Sequence, residues 1–158
     1  MKFKIQYQIL IILFFISCSE VNEELNNTNT STIWNGTSVT FEKLDEADPT
    51  LEANQDRLTS NVWITRGNNG GQIYNIAKEN SSDKDNSPIG TEWALGTIDE
   101  IETLSFNKFR IAVGEPKNVV DKALVLHLIE DDIYLSIKFS SWSNGQKGGF
   151  LYTRSSPN

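Results

Sequence analysis

Residues 133–140, Ile-Tyr-Leu-Ser-Ile-Lys-Phe-Ser, carry an apolar side chain at every second position. Successive side chains of an extended chain point to opposite faces, so Ile133, Leu135, Ile137 and Phe139 share one face of a strand, and that face belongs in a core. The flanking residues make this strand the middle of a meander. Ala123 to Ile129 is a continuous β-favouring run, and Glu130-Asp131-Asp132 interrupts it as a hairpin turn, since Asp bonds its own backbone and tolerates turn conformations. Trp142 closes the strand, residues 143–149 supply the next turn, and Phe150 to Arg154 returns with Phe150 and Tyr152 on one side. Three consecutive antiparallel strands are expected.

Upstream, short apolar runs alternate with Gly, Asn and Asp clusters in the same way. Val39 and Phe41 mark a strand near 37–43. Residues 61–66 place Val62 and Ile64 on one face and Trp63 and Thr65 on the other, before Gly67-Asn68-Asn69-Gly70-Gly71 forces a turn. Ile73, Tyr74 and Ile76 mark another strand, and Thr91 to Leu95 another. Ile98 to Phe109 fits a short helix or turn leading into a strand through Leu104, Phe106 and Lys108. About eight short strands without an internal repeat predict an all-β fold, a single antiparallel β-sandwich or jelly-roll-like domain over 33–158, with a barrel as the alternative.

The N-terminus is of another kind. Lys2 and Lys4 precede the apolar run from Ile9 to Ile16, which is too short to span a bilayer and has the layout of a secretory signal over 1–17. Ile16-Ser17-Cys18 resembles a lipobox, the site at which bacterial signal peptidase II cleaves before an acylated cysteine; Phe15 departs from the aliphatic residue usual there. Cys18 is the chain's one cysteine, so no internal disulfide or thiolate metal site is available, and acylation would consume its thiol. Each acyl methylene buried in a bilayer contributes about 0.8 kcal/mol, enough for several chains to anchor the protein. Residues 18–32, acidic and then rich in Asn and Thr, read as a flexible tether. The resemblance implies a lipoprotein at the outer membrane or cell surface, with its periplasmic face as the other location. Ser19-Glu20 and the following acids resemble the signal that exports lipoproteins in one group of gram-negative bacteria, or they simply solubilise the linker.

Without the signal the chain has 12 basic and 21 acidic residues, a net charge of −9. Such a surface repels phosphate backbones and argues against nucleic acid as a partner. Residues 56–68, 125–134, 137–142 and 148–155 are similar to an uncharacterised module of secreted and surface-anchored bacterial proteins; the similarity spans about 33–156 and implies an extracellular β-domain without supplying a mechanism.

Catalytic side chains are scarce. His127, the one histidine, lies in a strand between Leu126 and Leu128. Asp131 or Asp132 could orient it across the hairpin, but no nucleophile motif accompanies it, and a partly buried structural role is the better reading. The trio Glu130-Asp131-Asp132 reads as a solvated, mutually repelling turn. Asp45, Asp48 and Asp56 lie in an irregular acidic segment and are the candidates for a calcium site, against an acidic loop in which Asp56 pairs with Arg57 or Arg66. Asp83-Lys84-Asp85-Asn86-Ser87 begins like a calcium loop, but Pro88 stands where an EF-hand needs glycine. Trp63, Trp142 and Tyr134 are the candidates for ligand binding, because an aromatic face suits the apolar side of a sugar ring; Trp63 and Trp142 lie opposite their strands' aliphatic residues and are expected to be exposed. A membrane-anchored, non-catalytic module binding a glycan or a surface protein is therefore expected. A hydrolase of envelope or extracellular polysaccharide and a structural surface component are the alternatives.

Overall fold

The computed structural model describes residues 31–158. The signal segment, Cys18 and the tether as far as residue 30 lie outside the described residues. The elements run β1 (Thr32–Trp34), β2 (Val39–Lys43), β3 (Asp56–Arg57), β4 (Trp63–Arg66), β5 (Ile73–Asn75), β6 (Thr91–Leu95), α1 (Phe109–Val113), β7 (Ala123–Leu128), β8 (Ile133–Trp142) and β9 (Phe150–Arg154), with short 3-10 turns between them. They form an all-β, sandwich-like domain of two sheets. The larger has the order β2-β9-β8-β7-β6, and the smaller is β3-β4-β5. All pairings are antiparallel except that of β1, which lies parallel to the first residues of β8. Ten residues long, β8 shares one flank between two strands: Ile133–Leu135 pair with β1, and Ile137 to Trp142 pair with β9.

The meander anticipated at the C-terminus is the centre of this sheet, with β7, β8 and β9 as consecutive neighbours. Leu135, Ile137, Phe139, Phe150 and Tyr152 are each at most 3% exposed, and they meet Leu124, Leu126 and Leu128 from β7 and Ile64 and Ile73 from the small sheet in one core. Trp93 of β6 is fully buried against Phe109, edge to face at 4.9 Å, and its indole N–H donates to the Thr91 hydroxyl at 2.9 Å.

Three local expectations change. Strand β7 ends at Leu128 and leaves Ile129 exposed. Residues 98–103 form a 3-10 turn, closed by the Glu100 carboxylate accepting the Thr97 N–H and hydroxyl at 2.9 Å each, but no strand follows. A single bridge joins Asn107 to Trp93, after which Phe109–Val113 turns helical, because Phe109 and Val113, four apart, then bury on the same side. Third, the alternation of β8 breaks. Phe139 pairs with Tyr152, Ser141 with Leu151 and Trp142 with Phe150, so Ser140 is an extra residue in a β-bulge. The insertion shifts the phase by one and swings Trp142 onto the core side.

A buried polar clamp joins the sheets. Asp56 of β3, 6% exposed, accepts the Tyr152 hydroxyl at 2.6 Å and a two-point contact from Arg154, Nε at 2.7 Å and Nη2 at 2.9 Å. Both partners lie on β9.

Candidate functional site

The three aromatic candidates are held apart. Trp63 is half-buried, with the Arg57 guanidinium 4.2 Å from its ring centroid and its indole N–H donated to the Thr59 carbonyl at 2.9 Å. Trp142 has the Arg66 guanidinium 4.0 Å over its ring, while Phe109, Phe139 and Phe150 crowd it from the core. Neither tryptophan is an exposed plate, which corrects the expectation from strand alternation. At Trp142 the cause is the bulge; at Trp63 it is an arginine from the adjacent strand that uses the ring as a cover. Tyr134 stacks on His127, with ring centres 4.1 Å apart and planes 3° from parallel, and Phe106 meets both edge-on.

His127 faces carboxylates on two sides, Asp132 at 3.3 Å from Nε2 and Glu92 at 3.9 Å from Nδ1. Among the described residues no hydrogen bond links it to a hydroxyl that could serve as a nucleophile. The Glu130-Asp131-Asp132 turn departs from the repelling cluster expected of it, because each acid has its own partner. Glu130 pairs with Lys78, Asp131 accepts the Thr59 hydroxyl at 2.7 Å and the Asn61 amide at 2.9 Å, and Asp132 faces His127. The hairpin tip is thereby latched to the loop before β4.

The calcium candidates are likewise dispersed. Asp45 sits 3.5 Å from Lys147, and the Ser143 hydroxyl beside it holds its carboxyl below the usual range. Asp48 accepts the Thr50 N–H and hydroxyl at 2.8 Å each, which lowers its carboxyl in the same way. Asp56 spends both oxygens on Tyr152 and Arg154, and not on Arg57 or Arg66. Among the described residues no group of three or more His, Cys, Asp or Glu side chains is placed to hold a metal ion. In the 83–88 loop, Asp83 caps its own turn by accepting the N–H groups of Asp85 and Asn86.

What the fold does assemble is a basic end. The turns after β2, β4 and β8 converge there with the segment that follows α1. Lys43 and Arg66 are 1% and 3% exposed, and among the described residues neither has a carboxylate within salt-bridge distance. Lys43 donates to Asn68 Oδ1 at 2.9 Å and to the Gly148 carbonyl. Arg66 donates Nε to the Gly71 carbonyl at 3.1 Å, and Nη1 to those of Ser143 and Gly149 at 2.9 and 3.1 Å. Burial pushes the Arg66 guanidinium down to about 10, so it stays charged at neutral pH. It also lowers Lys43, with Arg66 repulsion adding to the effect. Close approach explains the paired glycines of this end: a side chain on Gly148 would strike Asn68 Oδ1 and the Gly67 carbonyl, and one on Gly149 would strike Asp45 and Ser143.

Beside Arg66 and Trp142 opens a cavity of about 290 Å³, walled by Arg110, Glu115, Lys117 and the Ser143-Asn144-Gly145 turn. Arg110 Nε is shielded from solvent without an acceptor among the described residues. Glu115 and Lys117 form an exposed pair at 2.9 Å on the rim. The sequence singled out Trp142 here and missed the arginines. Arg66 ends β4 and Arg110 lies in α1, and no local pattern of the sequence joins the two.

No family model matches the chain, and no curated protein or solved structure matches it.

Proposed function

We propose that the chain is a lipid-anchored protein of the cell envelope, held through Cys18 at the outer membrane or cell surface, whose β-domain binds a glycan without transforming it. The observation that carries the binding role is the cavity at the basic end. It sets fixed donors and the amide of Asn144 beside the rim of Trp142, whose face Arg66 already covers, so a sugar would be held by convergent polar groups rather than by stacking. The turns after β4 and β8 that wall it are braced rather than free, since Arg66 and Lys43 tie the two together. The anchoring role rests on the lipobox-like Ile16-Ser17-Cys18.

Two measurements test the halves separately. Cys18→Ser should move the protein from the detergent to the aqueous phase on partition. The detergent-solubilised full chain should bind a subset of a glycan panel, with Asn144→Ala and Lys117→Ala weakening that subset. Binding that both variants leave intact, or none across the panel, refutes the site.

A further inference from the structure

We infer that the cavity beside Arg66 and Trp142 takes an oxyanion, the carboxylate of an acidic sugar being the form that fits the proposed glycan role on which this inference rests. Charge comes first. Arg66, Arg110 and Lys117 against Glu115 leave two net positive charges around one small cavity, on a chain whose overall net charge is −7. Of the other acids near by, Asp45 acts on Arg66 electrostatically but does not line the cavity, and its ion-pair partner is Lys147 at 3.5 Å. Glu115 lowers the local charge without neutralising it, because its close partner is Lys117.

Unused donors make the second argument. A shielded N–H without an acceptor is costly in a folded protein, and such groups mark places where a partner belongs. Arg110 Nε is one. Arg66 brings a second free donor, one that is not shielded in this way: its Nε and Nη1 are committed to three carbonyls, but Nη2 makes no hydrogen bond among the described residues. Carbonyls and a tryptophan face hold this guanidinium in place, so it is oriented before any ligand arrives and little side-chain entropy remains to be lost. Two planar guanidinium groups at one cavity match the two oxygens of a carboxylate better than ammonium groups would. Bonds to charged partners in such a site exceed neutral ones, so the acidic group would set the ligand preference.

The test is calorimetric titration of the detergent-solubilised full chain with four probes: glucuronate, glucose, inorganic sulfate and inorganic phosphate. Glucuronate should bind and glucose should not, and added salt should weaken binding. Arg110→Gln should weaken glucuronate by about tenfold or more, as expected for one charged hydrogen bond. Arg110→Lys should recover only part of this loss, since the ammonium cannot make a two-point contact. Arg66 is unsuited to the test because its three carbonyl contacts hold two turns together, whereas Arg110 Nε has no acceptor to lose. Binding of sulfate or phosphate alone, sensitive to Arg110, supports the oxyanion site and overturns the glycan reading. Equal binding of glucose and glucuronate, unchanged in Arg110→Gln, overturns the oxyanion inference while leaving the glycan reading standing. Absence of binding to all four probes overturns the oxyanion inference, and the glycan panel then decides the glycan reading separately.

Discussion

Replacing Asp56 with Ala should be among the most damaging single changes in this domain. The carboxylate receives three hydrogen bonds, from Tyr152 at 2.6 Å and from Arg154 at 2.7 and 2.9 Å, and the side chains of Asp56 and Arg154 are only 8% and 10% exposed. Its removal strands a desolvated guanidinium and a buried hydroxyl, and breaking one side of a buried pair costs about 3–5 kcal/mol. Against a total of about 5–15 kcal/mol for a domain, that is a large share. With a urea slope of about 2 kcal/mol per molar, a loss of about 4 kcal/mol lowers the unfolding midpoint by about 2 M. Tryptophan fluorescence follows the transition. Arg154→Leu removes the stranded cation, so the double variant should recover about 2 kcal/mol relative to the sum of the single losses. Tyr152→Phe, which deletes one hydrogen bond to a charged acceptor, should cost less, about 1.5–3 kcal/mol. A loss below about 1 kcal/mol for Asp56→Ala, or strict additivity with Arg154→Leu, would show that the clamp does not couple the sheets.

Other outcomes follow from the same geometry. Gly148 has φ +75° and an added Cβ would lie 2.7 Å from the Gly67 carbonyl oxygen, so Gly148→Ala should cost about 2–4 kcal/mol in urea unfolding. Gly145 has a similar φ of +69° but open space around it, so Gly145→Ala should cost only about 1 kcal/mol; equal losses at the two sites would contradict the close-approach argument. Burial holds the Tyr152 hydroxyl well above the ordinary tyrosine range, so the folded chain keeps a proton that the unfolded chain releases above a pH of about 10. Stability from this group is therefore full below that pH and is lost as pH rises through the folded value; unfolding curves measured from pH 8 upward should fall less steeply for Tyr152→Phe than for the wild type. Asp131→Ala should cost about 1–2 kcal/mol by releasing Thr59 and Asn61 from the hairpin tip, and hydrogen exchange should rise in the loop before β4. Unchanged exchange there would mean that the latch is ornamental.

The C-terminal half of the fold was legible because its signal is periodic. Alternation in 133–139 names a core face without knowledge of the rest, and turns rich in Asp, Asn and Gly bound it on both sides. Helix α1 has only a short signal in the sequence: Phe109 and Val113 at helical spacing with Gly114 directly after them, where a helix commonly stops. The reversal at Trp142 had none, since a bulge depends on the register of β8 against β9 and Ser140-Ser141 looks like any other polar step.

The candidate site divides along the same line. Trp142 could be nominated from composition, but its exposure was misjudged because the face of a strand is local information only while the strand stays in phase. Asp56 drew attention as an acid in an irregular loop, and its real partners, Tyr152 and Arg154, lie 96 and 98 residues further along the chain. Arg66 and Arg110 came together only when the end of β4 and helix α1, distant in sequence, met at one end of the domain. By itself the sequence determined the β character and the core face of the central meander, since alternation and turn residues are local signals. Pairing of charges, the phase of β8 and the basic cavity were decided by tertiary structure, because a buried charge takes its meaning from whatever the fold brings beside it.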